Sequence, residues 1–282
     1  MRPAFAPFAA LPQSARVSAW ILVVVALAAL LGPPLSPHDH RDTDFAAQLE
    51  PPTLHGAHFF GTDDLGRDVF ARTLMGTRVT LLVAVVASLV SLVIGVAWGA
   101  TAGYAGGRVD ALMMRAVDAL YALPFIFLVI LLMVVFDRNF FLIFVAIGAI
   151  NWLEMARMVR GQTLSLKQRE FVAAAELLGV SPAGVVWRHI VPNLLGVVVV
   201  YLTLTIPQAI LVESFLSFLG LGVQEPDTSL GALVNDGVAL MERAPWLLLA
   251  PGALLALVLF CCNDLGDGLR DLMDPRRRAQ NA

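Results

Sequence analysis

The chain holds a single lysine, Lys167, among 282 residues, and only 15% of its residues are charged. A phosphate-binding loop of the G-x-x-x-x-G-K-[ST] type needs a lysine directly after a glycine, so that the ammonium reaches the phosphates. Lys167 follows Leu166, which excludes a Walker-type ATPase within this chain. The G-x-S-x-G elbow, the H-E-x-x-H helix and the C-x-x-C pair are also missing. Cys261 and Cys262 lie side by side in an apolar run and read as small apolar fillers rather than redox or metal groups. No catalytic, cofactor-binding or metal-binding residue is therefore expected, and the energy for any work has to come from an ion gradient or from another subunit.

What is present is apolar: 58% of the chain is hydrophobic, and a soluble domain usually carries about 25% charged residues rather than this chain's 15%. Six runs approach or reach the roughly 18–20 apolar residues that cross a bilayer as a helix: Val17–Leu35, Val79–Thr101, Ala119–Phe136, Phe140–Trp152 with its flank, Leu194–Leu211 and Trp246–Cys262. Spanning helices satisfy every backbone N–H and C=O internally, so an all-α polytopic membrane protein with six transmembrane helices is expected. Arg2 and Arg16 precede the first run as in a secretory signal, but its core runs into Gly32-Pro33-Pro34 without a small-x-small exit. It reads as a retained span.

With a cytoplasmic N-terminus, thirteen of the nineteen basic residues fall in inside segments, as the positive-inside rule requires. Residues 1–16 are then cytoplasmic, 17–35 form the first span, and 36–78 are extracytoplasmic. Residues 79–266 form the core domain with a cytoplasmic loop at 161–192, and 267–282 form a cytoplasmic tail anchored by Arg276–Arg278.

The loop contains the stretch EFVAAAELLGVSPAGVVWRHIVPN, a polar and punctuated segment between two oily runs. Phe171, Ala174, Ala175 and Leu178 share one helical face, opposite Arg169, Ala173 and Glu176. Gly179 stops this helix, and Ser181-Pro182 reads as an N-cap with proline at the first helical position. A second short helix is expected through His189, with Pro192 opening span five. Small residues on such a projection permit close approach by a partner's backbone, whereas an interfacial helix floating among headgroups is the alternative.

The stretch resembles the EAA loop of ABC-importer permeases. Ala173-Ala174-Ala175 stands for E-A-A, Gly179 falls at the expected place, and Ile190-Val191-Pro192 closes the pattern, while Ala173 replaces the signature glutamate. The segments His58–Phe70 (HFFGTDDLGRDVF), Glu213–Gly222 (ESFLSFLGLG) and Gly266–Pro275 (GDGLRDLMDP) resemble further segments of the dipeptide/oligopeptide/nickel permease family. The chain is most similar to C-type permease subunits of oligopeptide importers.

That resemblance implies a type I ABC importer transmembrane domain in a bacterial cytoplasmic membrane, with both termini cytoplasmic. It implies a B-type second permease, two ATPase subunits or domains that bind ATP and Mg, an extracytoplasmic binding protein and a peptide cargo. Nickel or another small solute is the alternative cargo. Arg169, Glu170, Phe171, Ala173, Ala174, Ala175, Glu176, Gly179, Ser181, Pro182, His189 and Pro192 would contact the ATPase. A secondary transporter with paired half-chain repeats is the rival, and no such repeat is visible.

Polar groups inside spans are costly and so informative. Asn151, Glu154 and Arg157 recur every three residues in span four, where Glu154 and Arg157 have the spacing of an ion pair, and Gln208 and Glu213 lie in span five. These five are candidates for the translocation path, with interhelical glue as the alternative. Thr62–Leu74 reads as an amphipathic helix capped at Thr62 or Asp63, and Asp63, Asp64, Arg67 and Asp68 are candidates for docking the binding protein. His38, His40, His55 and His58 sit in the same proline- and acid-rich segment, which fits an ordinary solvated connection, with a metal role for their imidazoles as the alternative.

Overall fold

The computed structural model describes residues 10–53, 58–124, 127, 130, 131, 135 and 140–273. His55, eight of the eighteen residues of the expected third span and the Arg276–Arg278 run lie outside the described residues.

Helix α1 (Gln13–Leu35) carries Pro33 and Pro34 in its last turn, where Ser36 N–H donates to Gly32 O at 2.7 Å. Helix α2 (Val69–Ala105) is 37 residues long, which at 1.5 Å per residue is about 55 Å. It ends at Gly106 and Gly107, both left-handed at φ +67° and +55°, so the chain turns sharply into α3 (Gly107–Tyr121). Helix α4 (Phe140–Lys167) is followed by the two-turn α5 (Glu170–Leu177). Helix α6 (Pro182–Phe218), α7 (Leu230–Ala239) and α8 (Trp246–Met273) complete the described chain. Four of these helices, α1, α2, α6 and α8, are long and apolar enough to cross a membrane.

One core joins Val83, Ala84 and Ala87 of α2 to Ile147 of α4, Ile210 and Leu216 of α6, and Val258 and Cys262 of α8. A second core, toward the α4–α6 connection, joins Val96 and Ala100 of α2 to Met155 and Val159 of α4, Val172 and Ala175 of α5, and Val185, Ile190 and Leu194 of α6. Helices α2 and α4 meet backbone to backbone. Gly95, Gly99 and Gly103, spaced one turn apart, face α4 so closely that a Cβ on Gly99 would stand 2.4 Å from Ala156 O.

Two local expectations are corrected. The helix expected from Thr62 begins instead at Val69, capped by Asp68, whose Oδ1 accepts from Ala71 N–H at 2.7 Å. Before it, Gly61 and Gly66 have φ of +75° and +74°, and Asp63 Oδ1 takes the N–H groups of Leu65 and Arg67 at 2.9 and 2.8 Å. Those N–H groups fold the chain around the carboxylate, so 62–68 is a loop with a single bridge, Thr62 to Asp68.

The second correction concerns Pro192, which does not break the chain. The segment from Pro182 runs through a wide turn at Val185–Ile190 directly into span five. There Val191 N–H bonds to Val186 O, five residues back, and Pro192 follows in the first turn of the next stretch, where its missing N–H is tolerated.

The segment between spans five and six is structured as well. It holds α7, capped by Ser229 and wedged against α6 and α8 through Gly231 and Gly237.

Candidate functional site

Helix α5 is short because its sequence stops it. Gly179 takes φ +78°, Val180 N–H bonds to Ala175 O at 3.1 Å, and Gly179 N–H bonds to Glu176 O at 3.0 Å. These are the paired bonds of a Schellman end. Two residues later Ser181 Oγ accepts from Gly184 N–H at 3.3 Å and Pro182 starts α6. Space beside Gly179 is open, so Gly179→Ala meets no clash and is charged only for the left-handed backbone. We expect a loss of about 1–2 kcal/mol, read as a melting temperature lowered by a few degrees in detergent.

Of the face shared by Phe171, Ala174, Ala175 and Leu178, only Ala175 is enclosed. Val172 and Ala175 are enclosed, whereas Phe171, Ala173, Ala174, Leu177 and Leu178 are exposed. The apolar side chains of Leu177 and Leu178 stand 88% and 84% exposed, and Trp187 on α6 is 52% exposed nearby in sequence. Arg169, Glu170, Ser181 and Pro182 are exposed as well, while His189 is half-buried and Pro192 exposed. Glu176 accepts from Tyr104 Oη at 2.9 Å, and Lys167 Nζ donates to Tyr104 O at 2.6 Å, so the end of α2 is tied to α5 and to the last residue of α4. A cleft of about 530 Å³ opens there between Tyr104, Lys167, Glu176, Pro182, Val186 and Trp187.

Beside this loop, Asp110 of α3 takes a two-pronged bond from Arg160 of α4, at 2.5 and 2.6 Å. The hydrogen bond from Arg160 holds the Asp110 carboxyl below the usual carboxylate range, against the opposing push of its burial. This pair was not anticipated, and it fixes the α2–α3 corner against α4.

The five candidates for a path do not converge. Glu154 accepts from Tyr121 Oη at 3.2 Å and Tyr201 Oη at 3.1 Å. Arg157 does not pair with Glu154. It bonds to Asp118 at 2.7 Å and lies 4.5 Å over the Tyr121 ring, because α3 brings an acid and an aromatic face within reach. Asn151 is buried in α4 with its Nδ2 unpartnered, and Gln208 is exposed on α6.

Glu213 is fully enclosed rather than facing outward. It accepts from Thr80 Oγ1 at 3.1 Å and Ser217 Oγ at 2.7 Å, and Ser229 Oγ extends the network by donating to Ser217 Oγ at 3.0 Å. Its carboxylate joins α2, α6 and the cap of α7. Tyr121, Tyr201 and Asp118 were missed from sequence; the one available signal was scarcity, since the chain has only three tyrosines, and all three hydroxyls bond to carboxylates.

At the opposite end, three of the four docking candidates are internal. Asp63, Arg67 and Asp68 are buried, and Asp64 alone is exposed. Asp63 Oδ2 accepts from Arg67 Nε and Arg72 Nη1, each at 2.7 Å. Arg67 reaches on to Glu225 at 2.8 Å and Arg72 to Asp236 at 3.4 Å, so the cluster bolts the start of α2 to α7 and the loop before it.

Long apolar helices, a glycine-sealed α2–α4 pair and a short helix offered outward between two spans define a polytopic membrane protein. Residues 91–279 match the family described as binding-protein-dependent transport system inner membrane component, and residues 13–52 match the N-terminal TM domain of oligopeptide transport permease C. The chain belongs to this family of permeases, whose transmembrane domain is that of type I ABC importers. It is 53% identical over 266 residues to the oligopeptide transport system permease protein OppC of Escherichia coli K12, covering 94% of this chain and 88% of that one. Identity to OppC of Haemophilus influenzae is 51%, covering 94% and 86% of the two chains. The dipeptide transport system permease protein DppC of Bacillus subtilis is 44% identical, with 92% and 81% covered.

Proposed function

We propose that this chain is one of two permease subunits of an ATP-driven importer and forms, with a second similar permease, a path for oligo- or dipeptides. ATP and Mg are bound by partner ATPase chains, and an extracytoplasmic binding protein delivers the cargo. The peptide reading is supported by the names of its relatives, which carry oligopeptide and dipeptide. Basic residues cluster on the α5 side, which supports cytoplasmic termini and a cytoplasmic α5.

The observation that carries the reading is the outward face of α5. A two-turn helix holding Leu177 and Leu178 almost fully exposed, while Val172 and Ala175 anchor it to the core, is a surface shaped for a partner. Because α6 runs unbroken from Pro182 to Phe218, force applied at the loop enters span five as through a lever about 55 Å long. ATP-loaded partners then shift the permease between inward- and outward-facing states by binding one of them better.

The test is a Leu177→Asp/Leu178→Asp double variant in the assembled complex. Both side chains are exposed, so the chain still folds. ATPase co-purification and ATP-dependent peptide uptake in vesicles containing all partners are expected to fall at least about tenfold, the equivalent of 1.4 kcal/mol. Unchanged co-purification and uptake would overturn the coupling assignment.

A further inference from the structure

We propose that His38, His58 and Asp68 form a binding site for a divalent transition-metal cation of the zinc type. The site lies at the polar end of the molecule, where it clips the segment after α1 to the start of α2. One donor atom from each of the three residues lies within 4.8 Å of the others. His58 Nδ1 is 2.8 Å from Asp68 Oδ2, and the His38 and His58 rings lie 4.7 Å apart at 33°.

The donor set selects the ion. Two imidazoles and one carboxylate match the three-ligand zinc sites that keep a fourth position for water, whereas Mg²⁺ and Ca²⁺ take oxygen ligands. Zinc–nitrogen bonds of about 2.0–2.1 Å set donors about 3.3 Å apart around a tetrahedron, so the present spacing closes with side-chain movements of roughly 1.5 Å. Asp68 is already divided for the task. Its Oδ1 caps α2 through Ala71 N–H, and its Oδ2 points to His58.

The surroundings hold these groups in place. The Asp68 side chain is 3% exposed and that of His58 15%, so the carboxylate is fixed while the imidazole is reached by small ions. His38 is positioned by its backbone N–H, which donates to Ser36 Oγ at 3.4 Å just beyond the end of α1. The bound ion would join positions 38 and 68, and any cation that binds only the folded chain stabilises it. Neighbouring His40 is turned elsewhere, to Asp39 at 2.9 Å and Arg41 at 3.2 Å, and is not a ligand. The site does not depend on which cargo the transporter carries.

The test is Zn²⁺ titration of the full chain in its complex, purified without a polyhistidine tag, stripped with chelator and read against a chromophoric competitor. The expected result is one Zn²⁺ per chain, not displaced by excess Mg²⁺, and a rise in melting temperature on adding Zn²⁺. His38→Gln, His58→Gln and Asp68→Asn, the last of which keeps the cap, are each expected to weaken binding at least about tenfold and to remove the zinc-dependent rise. His40→Gln is expected to bind as the parent does. Absence of stoichiometric Zn²⁺, or binding by His38→Gln equal to the parent, overturns the proposal. Should His58→Gln fold poorly, His38→Gln decides, because its side chain lies outside every helix.

Discussion

Replacing Gly99 with leucine is expected to prevent α2 from seating on α4 and to cost about 3 kcal/mol or more. A Cβ at this position would stand 2.4 Å from Ala156 O, 2.9 Å from Val159 Cβ and 3.0 Å from Arg160 N. Two of these are backbone atoms of α4, which cannot move aside as a flexible side chain does. The flanking turns allow no compensating tilt, since Gly95 sits against Met155 and Gly103 against Thr163 at comparable distances. Without a hydrophobic drive between helices in lipid, this close backbone packing is the attraction itself. The apparent melting temperature of the purified chain is expected to drop by about 10 °C. Gly161→Ala on the same α4 is the control: its Cβ meets nothing within 4 Å, so it should be neutral or slightly stabilising. A Gly99→Leu protein that melts with the parent would show that α2 and α4 do not pack as described.

That glycine row was in plain view in the sequence as GVAWGATAG, residues 95–103, yet it was read only as part of an apolar run. Hydropathy located α1, α2, α6 and α8, because length and apolarity are properties of a segment by itself. The corner at Gly179 and Ser181-Pro182 was equally legible, since a left-handed glycine and a proline at the first helical position act within a few residues. What was not legible was pairing across the chain. Glu154 and Arg157 have the spacing of an ion pair, but Asp118 and Tyr121, over thirty positions away, compete for Arg157 at closer range. Which face of α5 is covered was not legible for the same reason: several faces of a helix rich in alanine and leucine are apolar, and contacts from α2, α4 and α6 choose Val172 and Ala175. Glu213 was grouped with Gln208 as a candidate for the path. Its partners Thr80, Ser217 and Ser229 come from three elements and were invisible until those elements met.

The acid-rich loop before α2 carries the second large effect. Asp63→Ala is expected to cost about 3–5 kcal/mol, because it strands two buried guanidinium groups rather than merely removing a contact. The Asp63 carboxylate accepts four hydrogen bonds, from the N–H groups of Leu65 and Arg67 and from the side chains of Arg67 and Arg72. Arg72 has a side chain only 4% exposed, and its remaining acids are farther away, Asp236 at 3.4 Å and Glu225 at 3.7 Å. Both of those acids are more than half exposed and so compensate weakly. Asp63→Asn keeps the Oδ1 acceptor for the loop N–H groups but turns an amide donor toward two cationic donors, so it should also destabilise. Asp64→Asn, one residue on and exposed, is expected to leave the melting temperature unchanged. The measurement is again the apparent melting temperature in detergent, with a fall of about 10 °C for Asp63→Ala. An Asp63→Ala chain as stable as Asp64→Asn would mean that Glu225 and Asp236 close onto the arginines, and that Asp63 is not what bolts α2 to α7.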